Sequence, residues 1–245
     1  MSNLILHRGG QACTREELRD IATPPSTESY VPVAHHDLVN RLLDIAGDLL
    51  PGYSLHREQY GIARYNAQLF GVHTYQNGSS EMGLSIGFRN SLDKSLSVGL
   101  AFGASVFVCD NLALQGSIMI MRKHTTNVWR DLEELIVSSV LKARTGFHQA
   151  REDAVVMKER PMDDTEAWQA LGFLYGNKVL TTRQLPVALK EWHDPRHREF
   201  EPRTLWSLYN ACTEALKASP PRSIMERHLA LHHHLYESAP QLLRS

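Results

Sequence analysis

Between Tyr53 and Lys123 the apolar residues recur in a strand-like pattern rich in β-branched and aromatic side chains. After Thr125-Thr126-Asn127 they recur every three to four residues. This change of period constrains the chain more than any other feature, because a segment patterned for a sheet cannot bury its apolar side as a helix, nor the reverse. Turn residues divide the first segment into strands expected near 53–60, 62–75, 81–90, 96–109 and 113–123. Asn77-Gly78 predicts a type I′ hairpin and Asn90 to Lys94 the next turn, so consecutive strands pair as an antiparallel meander. Beyond the switch, Trp129, Leu132, Leu135, Ile136, Val140 and Leu141 share one face of a long helix reaching about residue 159, where Pro161 stops it.

The flanking segments read as helical. Thr14-Arg15-Glu16-Glu17 is a capping box opening a short helix over about 14–21, and Leu38, Val39, Leu42, Leu43, Ile45, Ala46 and Leu49 give an amphipathic helix from His36 to Leu50. Asp163 or Asp164 caps a helix through Trp168 and Phe173. Thr181 or Thr182 opens another to about Trp192, and two more are expected over about 203–218 and 222–237. The fold class is therefore α+β: an antiparallel meander of about five strands packed on a long helix, with a helical C-terminal half. Residues 1–160 are expected to form the α+β core domain and 161–245 a helical region packed on it.

With 245 residues, 42% of them hydrophobic and 22% charged, the chain has the composition of an ordinary globular protein. No run nears the roughly 18 apolar residues of a membrane span, and the first residues lack the charged-then-apolar order of a signal peptide, so a cytoplasmic protein without membrane partners is expected. Cys13, Cys109 and Cys212 are odd in number and far apart with no CxxC, which predicts reduced thiols rather than disulfides or a zinc ribbon. The net charge of -1 conceals a gradient: residues 53–130 hold seven Lys/Arg against four Asp/Glu, whereas residues 1–52 hold four against seven. A surplus of three permits nucleic-acid binding without demanding it.

Arg89-Asn90-Ser91-x-Asp93, the strand ending Val106-Phe107-Val108-Cys109-Asp110-Asn111, and Arg122-Lys123-His124-Thr125 follow one another in the basic segment. Further on comes Trp206-Ser207-Leu208-Tyr209-Asn210-Ala211-Cys212-Thr213-Glu214. In these elements, and in Thr14-Arg15-Glu16-Glu17-Leu18 and Tyr30-Val31-Pro32, the chain resembles the phage/plasmid-like proteins of the domain-of-unknown-function 932 family, including its shorter prophage and genomic-island members. The resemblance implies a soluble protein carried by mobile elements and supplies no catalytic residue.

Two constellations are candidate anion sites. Arg89, Asn90, Ser91, Asp93, Lys94 and Ser95 gather donors at a hairpin end, although Asn90, Ser91 and Asp93 also suit a turn that closes on itself with Arg89 paired to Asp93. Arg122, Lys123, His124 and Arg130 bracket the start of the long helix, where free N–H groups and the helix dipole favour an anion. Surface charges flanking a helix would look the same. Tyr53, His56, Tyr60, Arg64, Tyr65, Phe70, His73 and Tyr75 interleave aromatics with basic groups, a pattern for stacking single-stranded bases or for filling a core.

His228 and His232 share a helix face, and His193 and His197 lie close in sequence, but neither pair completes a metal motif. Cys109 sits beside Asp110, whose charge disfavours the thiolate a nucleophile needs. No standard nucleophile or phosphate-loop motif is present. The sequence thus points to a nucleic-acid-binding protein of a mobile element acting in recombination, replication or defence, with single-stranded DNA among the candidate ligands. Arg89, Lys94, Arg122, Lys123, His124 and Arg130 would serve as contacts, with no cofactor, metal or catalytic residue assigned. The alternatives are a module that binds a host protein through Trp192, Trp206 and Tyr209, and an enzyme with a histidine-based or metal site. A homo-oligomer is compatible with any of these.

Overall fold

The computed structural model describes residues 10–78, 82–106, 111–122, 125, 127–219 and 221–237. The strand-patterned segment forms β2 (Ser54–Ala63), β3 (Gln68–Gln76), β4 (Met82–Ser91), β5 (Val98–Val106) and β6 (Asn111–Arg122), each antiparallel to the next. A three-residue strand that the sequence does not announce, β1 (Gln11–Cys13), adds to the free edge of β2 with Ala12 opposite Gly61. The helices are α1 (Arg15–Arg19), α2 (His35–Leu49), α3 (Val128–Glu159), α4 (Asp164–Gly176), α5 (Leu185–His193), α6 (Leu205–Leu216) and α7 (Pro221–His232), which runs into a π-turn at His233–Glu237. This is the α+β meander expected, with helices making up the C-terminal half.

Local chemistry accounts for most of the boundaries. Thr14 and Glu17 exchange side-chain to backbone bonds at the start of α1, and Asp163 and Glu166 do the same for α4. One turn differs from expectation. The first strand does not break near residue 61 but continues to Ala63 and reverses through Arg64, Tyr65 and Asn66, all three left-handed at φ 53°, 56° and 65°. Without glycine or proline in this turn, its sequence carries no punctuation. Between β3 and β4 the ladder runs as far as Tyr75 opposite Leu84, and the turn expected at Asn77-Gly78 lies partly outside the described residues. Gly78 does take positive φ, at 72°.

Alternation sends Tyr60, Leu69, His73, Tyr75, Leu84, Ile86, Phe88, Leu100 and Phe102 to one face of the sheet, where they join one apolar core with α2 and α3. Along α3 the residues Val128, Leu132, Ile136, Val140, Ala143, Phe147, Ala150, Ala154 and Met157 make a continuous buried stripe. Gly71 is part of this fit: a Cβ there would lie 2.1 Å from Cζ of Phe88, whose ring crosses the glycine from the neighbouring strand. The opposite face carries Val72 and Ala101, which pack on Met225 of α7 in a small separate cluster. Helix α6 is buried almost all round, and every residue from Leu205 to Thr213 is inaccessible.

Candidate functional site

The Asn90 turn is closed by its own side chains. Ser91 Oγ donates to the carbonyl of Leu96 and accepts from its amide, at 2.9 and 3.0 Å. Asp93 Oδ1 accepts from the amide of Ser95 at 3.0 Å and from its hydroxyl. Partial burial would raise the Asp93 pKa, but the Ser95 bonds and the Arg64 guanidinium, 3.7 Å away, outweigh it and hold the carboxyl below its ordinary value. Arg64 thus takes the role that the sequence gives to Arg89. Asn90 points into the core, where its Nδ2 donates to the carbonyl of Val33 at 2.6 Å and to Nδ1 of His35 at 2.9 Å.

The closed turn projects Lys94, whose φ of 62° carries its exposed side chain across the ring of Tyr30, Nζ lying 4.6 Å from the centroid. Tyr30 is fixed in turn by its hydroxyl, which donates to the carbonyl of Leu92 at 2.9 Å, while burial and the Asp93 charge raise its phenol pKa. Here an open cleft of about 350 Å³ forms, lined by Ser29, Tyr30, Lys94, Ser95, Ser97 and Thr125, together with Leu96. Thr125 belongs to the junction between β6 and α3, and its carbonyl accepts from the amide of Val128, the first residue of α3. Asn127, at the N-cap, makes no side-chain capping bond. The hairpin end thus borders one cleft with Thr125, which lies between the basic residues 122–124 and the start of α3 in sequence.

The individual candidates fare differently. Lys94 lines the cleft, and Arg130 is exposed on the first turn of α3 with Nε 3.8 Å from Asp131. Arg122 ends β6 opposite Val98, and its side chain lies outside the described residues, as do Lys123, His124 and Cys109. Arg89 is buried on the sheet face away from His73, lies across Gly99, and pairs through Nη1 with Oε1 of Glu226 at 3.0 Å. The cleft residues Ser29 and Ser97 carry no motif in the sequence, and Tyr30 enters it only in the Tyr30-Val31-Pro32 element of the family resemblance. Lys94 and Ser95, gathered at the hairpin end in sequence, point to their neighbourhood.

Other sequence candidates prove to be interior. Trp192, Trp206 and Tyr209 are buried and cannot serve as exposed anchors, because α5 and α6 turn them inward, with Trp206 stacked on Tyr209. Tyr60, His73 and Tyr75 lie on the core face, so they are not a stacking surface. His73 accepts from or donates to the Tyr60 hydroxyl at 2.8 Å, and burial, helped by the Arg15 charge, lowers its pKa to about 3. His228 and His232 do share a face, which is buried, and His232 Nε2 lies 3.4 Å from Asp153 of α3. Among the described residues no three His, Cys, Asp or Glu side chains gather as a metal set. Burial pushes the Cys13 thiol up to about 11, with Glu17 adding to the effect, and raises that of Cys212 further. No helix among the described residues is long and apolar enough to cross a membrane.

The fold and the Asn90 turn place the chain in a class of α+β proteins with a sheet-and-helix core. The family model described as "Domain of unknown function (DUF932)" matches residues 27–235, from just before Tyr30 to the end of the helical half, and the chain belongs to that family. No curated protein and no solved structure matches the chain.

Proposed function

We propose that this chain is a nucleic-acid-binding protein of a mobile genetic element, and that the cleft between the Asn90 turn and the start of α3 takes a backbone phosphate. The observation that carries the reading is the meeting of Lys94, Ser95 and Ser97 with Thr125 at the N-terminal end of a 32-residue helix. An ammonium and hydroxyls then line the same space, each of them favouring an anion, and Thr125 stands two residues before the N-cap of α3. The basic surplus of residues 53–130 supports it, and Arg122, Lys123, His124 and Arg130 belong to the same junction in sequence.

Fluorescence anisotropy with labelled single- and double-stranded DNA and RNA tests this reading. Binding should weaken steeply between 50 and 200 mM salt, and Lys94→Ala should lower affinity and reduce the slope of log K against log salt by roughly 0.7 to 0.9. Salt-insensitive binding, or none with any of these ligands, would rule it out. A second reading, a module that engages a host protein, draws on Trp168 and Tyr175, which stand exposed on one side of α4 with the bare Gly172 between them. A partner recovered by the wild-type chain and lost with Trp168→Ala would favour that reading instead.

A further inference from the structure

The reversal after β2 is built against its own residue types. Arg64, Tyr65 and Asn66 all take left-handed backbone, a region that glycine enters freely and asparagine readily but that crowds the Cβ of arginine and tyrosine. A turn shaped only to reverse the chain would carry glycine or asparagine throughout. Tyr65 is also fully exposed, so its ring fills no part of the core. On this turn and the adjoining one after β4, the other exposed residues are Arg64, Asn66, Asp93, Lys94 and Ser95, all of them polar. A single ring in such company is not the contiguous apolar patch that marks a protein-binding surface.

Polar contacts hold this turn against the one that borders the cleft. The amide of Leu92 donates to the carbonyl of Ala67 at 2.7 Å, Gln68 Nε2 donates to Ser95 Oγ at 2.7 Å, and Arg64 Nη1 lies 3.7 Å from Asp93 Oδ2. The last pairing also offsets the Asp93 charge, which would otherwise repel a phosphate near Lys94. His35 Nε2 bonds to the carbonyl of Asn66 at 3.0 Å, so the backbone on either side of Tyr65 is fixed while the ring stands in solvent. Both turns lie at the same end of the sheet, since Ala63 pairs with Gln68 and Gln68 with Ser91. Strands two apart are separated by about 10 Å, a span that an extended nucleic-acid strand covers in about one or two nucleotides. We infer that Tyr65 is a stacking platform for a base of single-stranded nucleic acid, seated next to the phosphate on Lys94. Every base has a π-face that a tyrosine ring can lie against, and a duplex keeps those faces covered, so the ligand is a single strand. The braced turn holds the ring ready, which limits the freedom lost on binding.

This inference rests on the nucleic-acid reading, and its test separates the two. The full chain is titrated with fluorescein-labelled dT30 and with a labelled abasic chain of the same length, which keeps the phosphates and lacks the bases. Tyr65→Asn, which suits left-handed backbone, should melt at or above the wild-type temperature yet bind dT30 roughly five- to hundredfold more weakly, the range of one lost stack. Tyr65→Phe should bind as the wild type does. Because Tyr65→Asn removes no ionic contact, it should leave the slope of log K against log salt unchanged and bind the abasic chain normally, whereas Lys94→Ala should weaken binding of both chains. Equal binding of dT30 by wild type and Tyr65→Asn, with Lys94→Ala still weakened, would overturn the platform and leave the cleft standing. A Tyr65→Asn loss of the same size on the abasic chain would also overturn it, since the ring would then act on something other than a base. A loss confined to dT30, with Lys94→Ala indifferent, would keep the platform and remove the cleft. No binding of dT30 by any form would overturn both.

Discussion

Asn90 and His35 are joined across 55 residues by a buried hydrogen bond of 2.9 Å from the amide Nδ2 to the imidazole Nδ1. His35 Nε2 then donates to the carbonyl of Asn66 at 3.0 Å, so a single chain of bonds ties β4 to the start of α2 and to the left-handed turn after β2. Asn90 also donates to Val33. Replacing it with Ala leaves buried acceptors without that donor, at a cost of about 1–3 kcal/mol for each group. Asn90→Asp should do worse, because an ionised carboxylate accepts only. Urea denaturation of the two variants gives the ranking, and an Asn90→Asp protein as stable as wild type would show that the bond contributes nothing.

Gly71→Ala tests the fit of β3 against β4. The added methyl would sit 2.1 Å from the Phe88 ring, so the ring or the strand must move. The expected loss is about 1–3 kcal/mol, the usual range for overpacking, and combining the change with Phe88→Leu should return part of it. A double-mutant cycle in denaturant measures the recovery. Strict additivity would mean that the two sites do not meet.

His73 sets an acid dependence of stability. Its folded pKa of about 3 lies below the ordinary 6.5, so between these values the unfolded chain binds the proton and the folded one does not. Stability from this group is complete above pH 6.5 and falls as pH drops toward 3. Equilibrium unfolding at pH 7, 5.5 and 4.5 should show that decline in the wild type and a shallower one in His73→Phe. Parallel curves would assign the acid sensitivity to other groups.

Glu214 of α6 is shared by two cations, Arg196 Nη2 at 2.7 Å and Lys217 Nζ at 2.5 Å, and Arg196 Nε also reaches Glu191 at 2.6 Å. Burial alone would lower the Arg196 pKa, but the two carboxylates raise it. Glu214→Ala removes the shared carboxylate from a mostly buried network and should cost about 3–5 kcal/mol. Glu214→Gln, which keeps the shape and loses the charge, should cost less. Thermal melts distinguish them, and equal melting temperatures for all three proteins would contradict the account.

In a Cys109→Ser background, thiol reagents should label neither remaining cysteine quickly at neutral pH. Burial keeps both Cys13 and Cys212 protonated, and Cys212 is wholly inaccessible. Denaturation should release both. Rapid labelling of Cys212 in the native protein would mean that α6 opens more readily than its packing indicates.

What was legible in the sequence was local. The boxes at Thr14 and Asp163 act over three or four residues and the structure keeps them, whereas of the face expected on α3 Leu132, Ile136 and Val140 are buried, Trp129 is half-buried and Leu141 is exposed. The reversal at Arg64 to Asn66 was hidden because its left-handed residues are not glycines. Alternation along β3 and β4 separated two faces but could not say that α7 covers the second. Tyr60 and His73 therefore read as a stacking surface although both are buried on the core face. The candidate site was legible in its parts and not in its assembly. Lys94 and Thr125 meet only because β5 and β6 run out and back, and the partner of Arg89 lies 137 residues away.

Helix α6 has no solvent face to spend on a ligand, yet it carries the W-x-x-x-N-A-x-T-E element on which the family resemblance is read. Its asparagine and threonine are occupied within the helix: Asn210 donates to the carbonyl of Trp206, and Thr213 to that of Asn210. A signature of this kind identifies a scaffold. In this chain the element builds the architecture around α6, and the turn and cleft lie outside it.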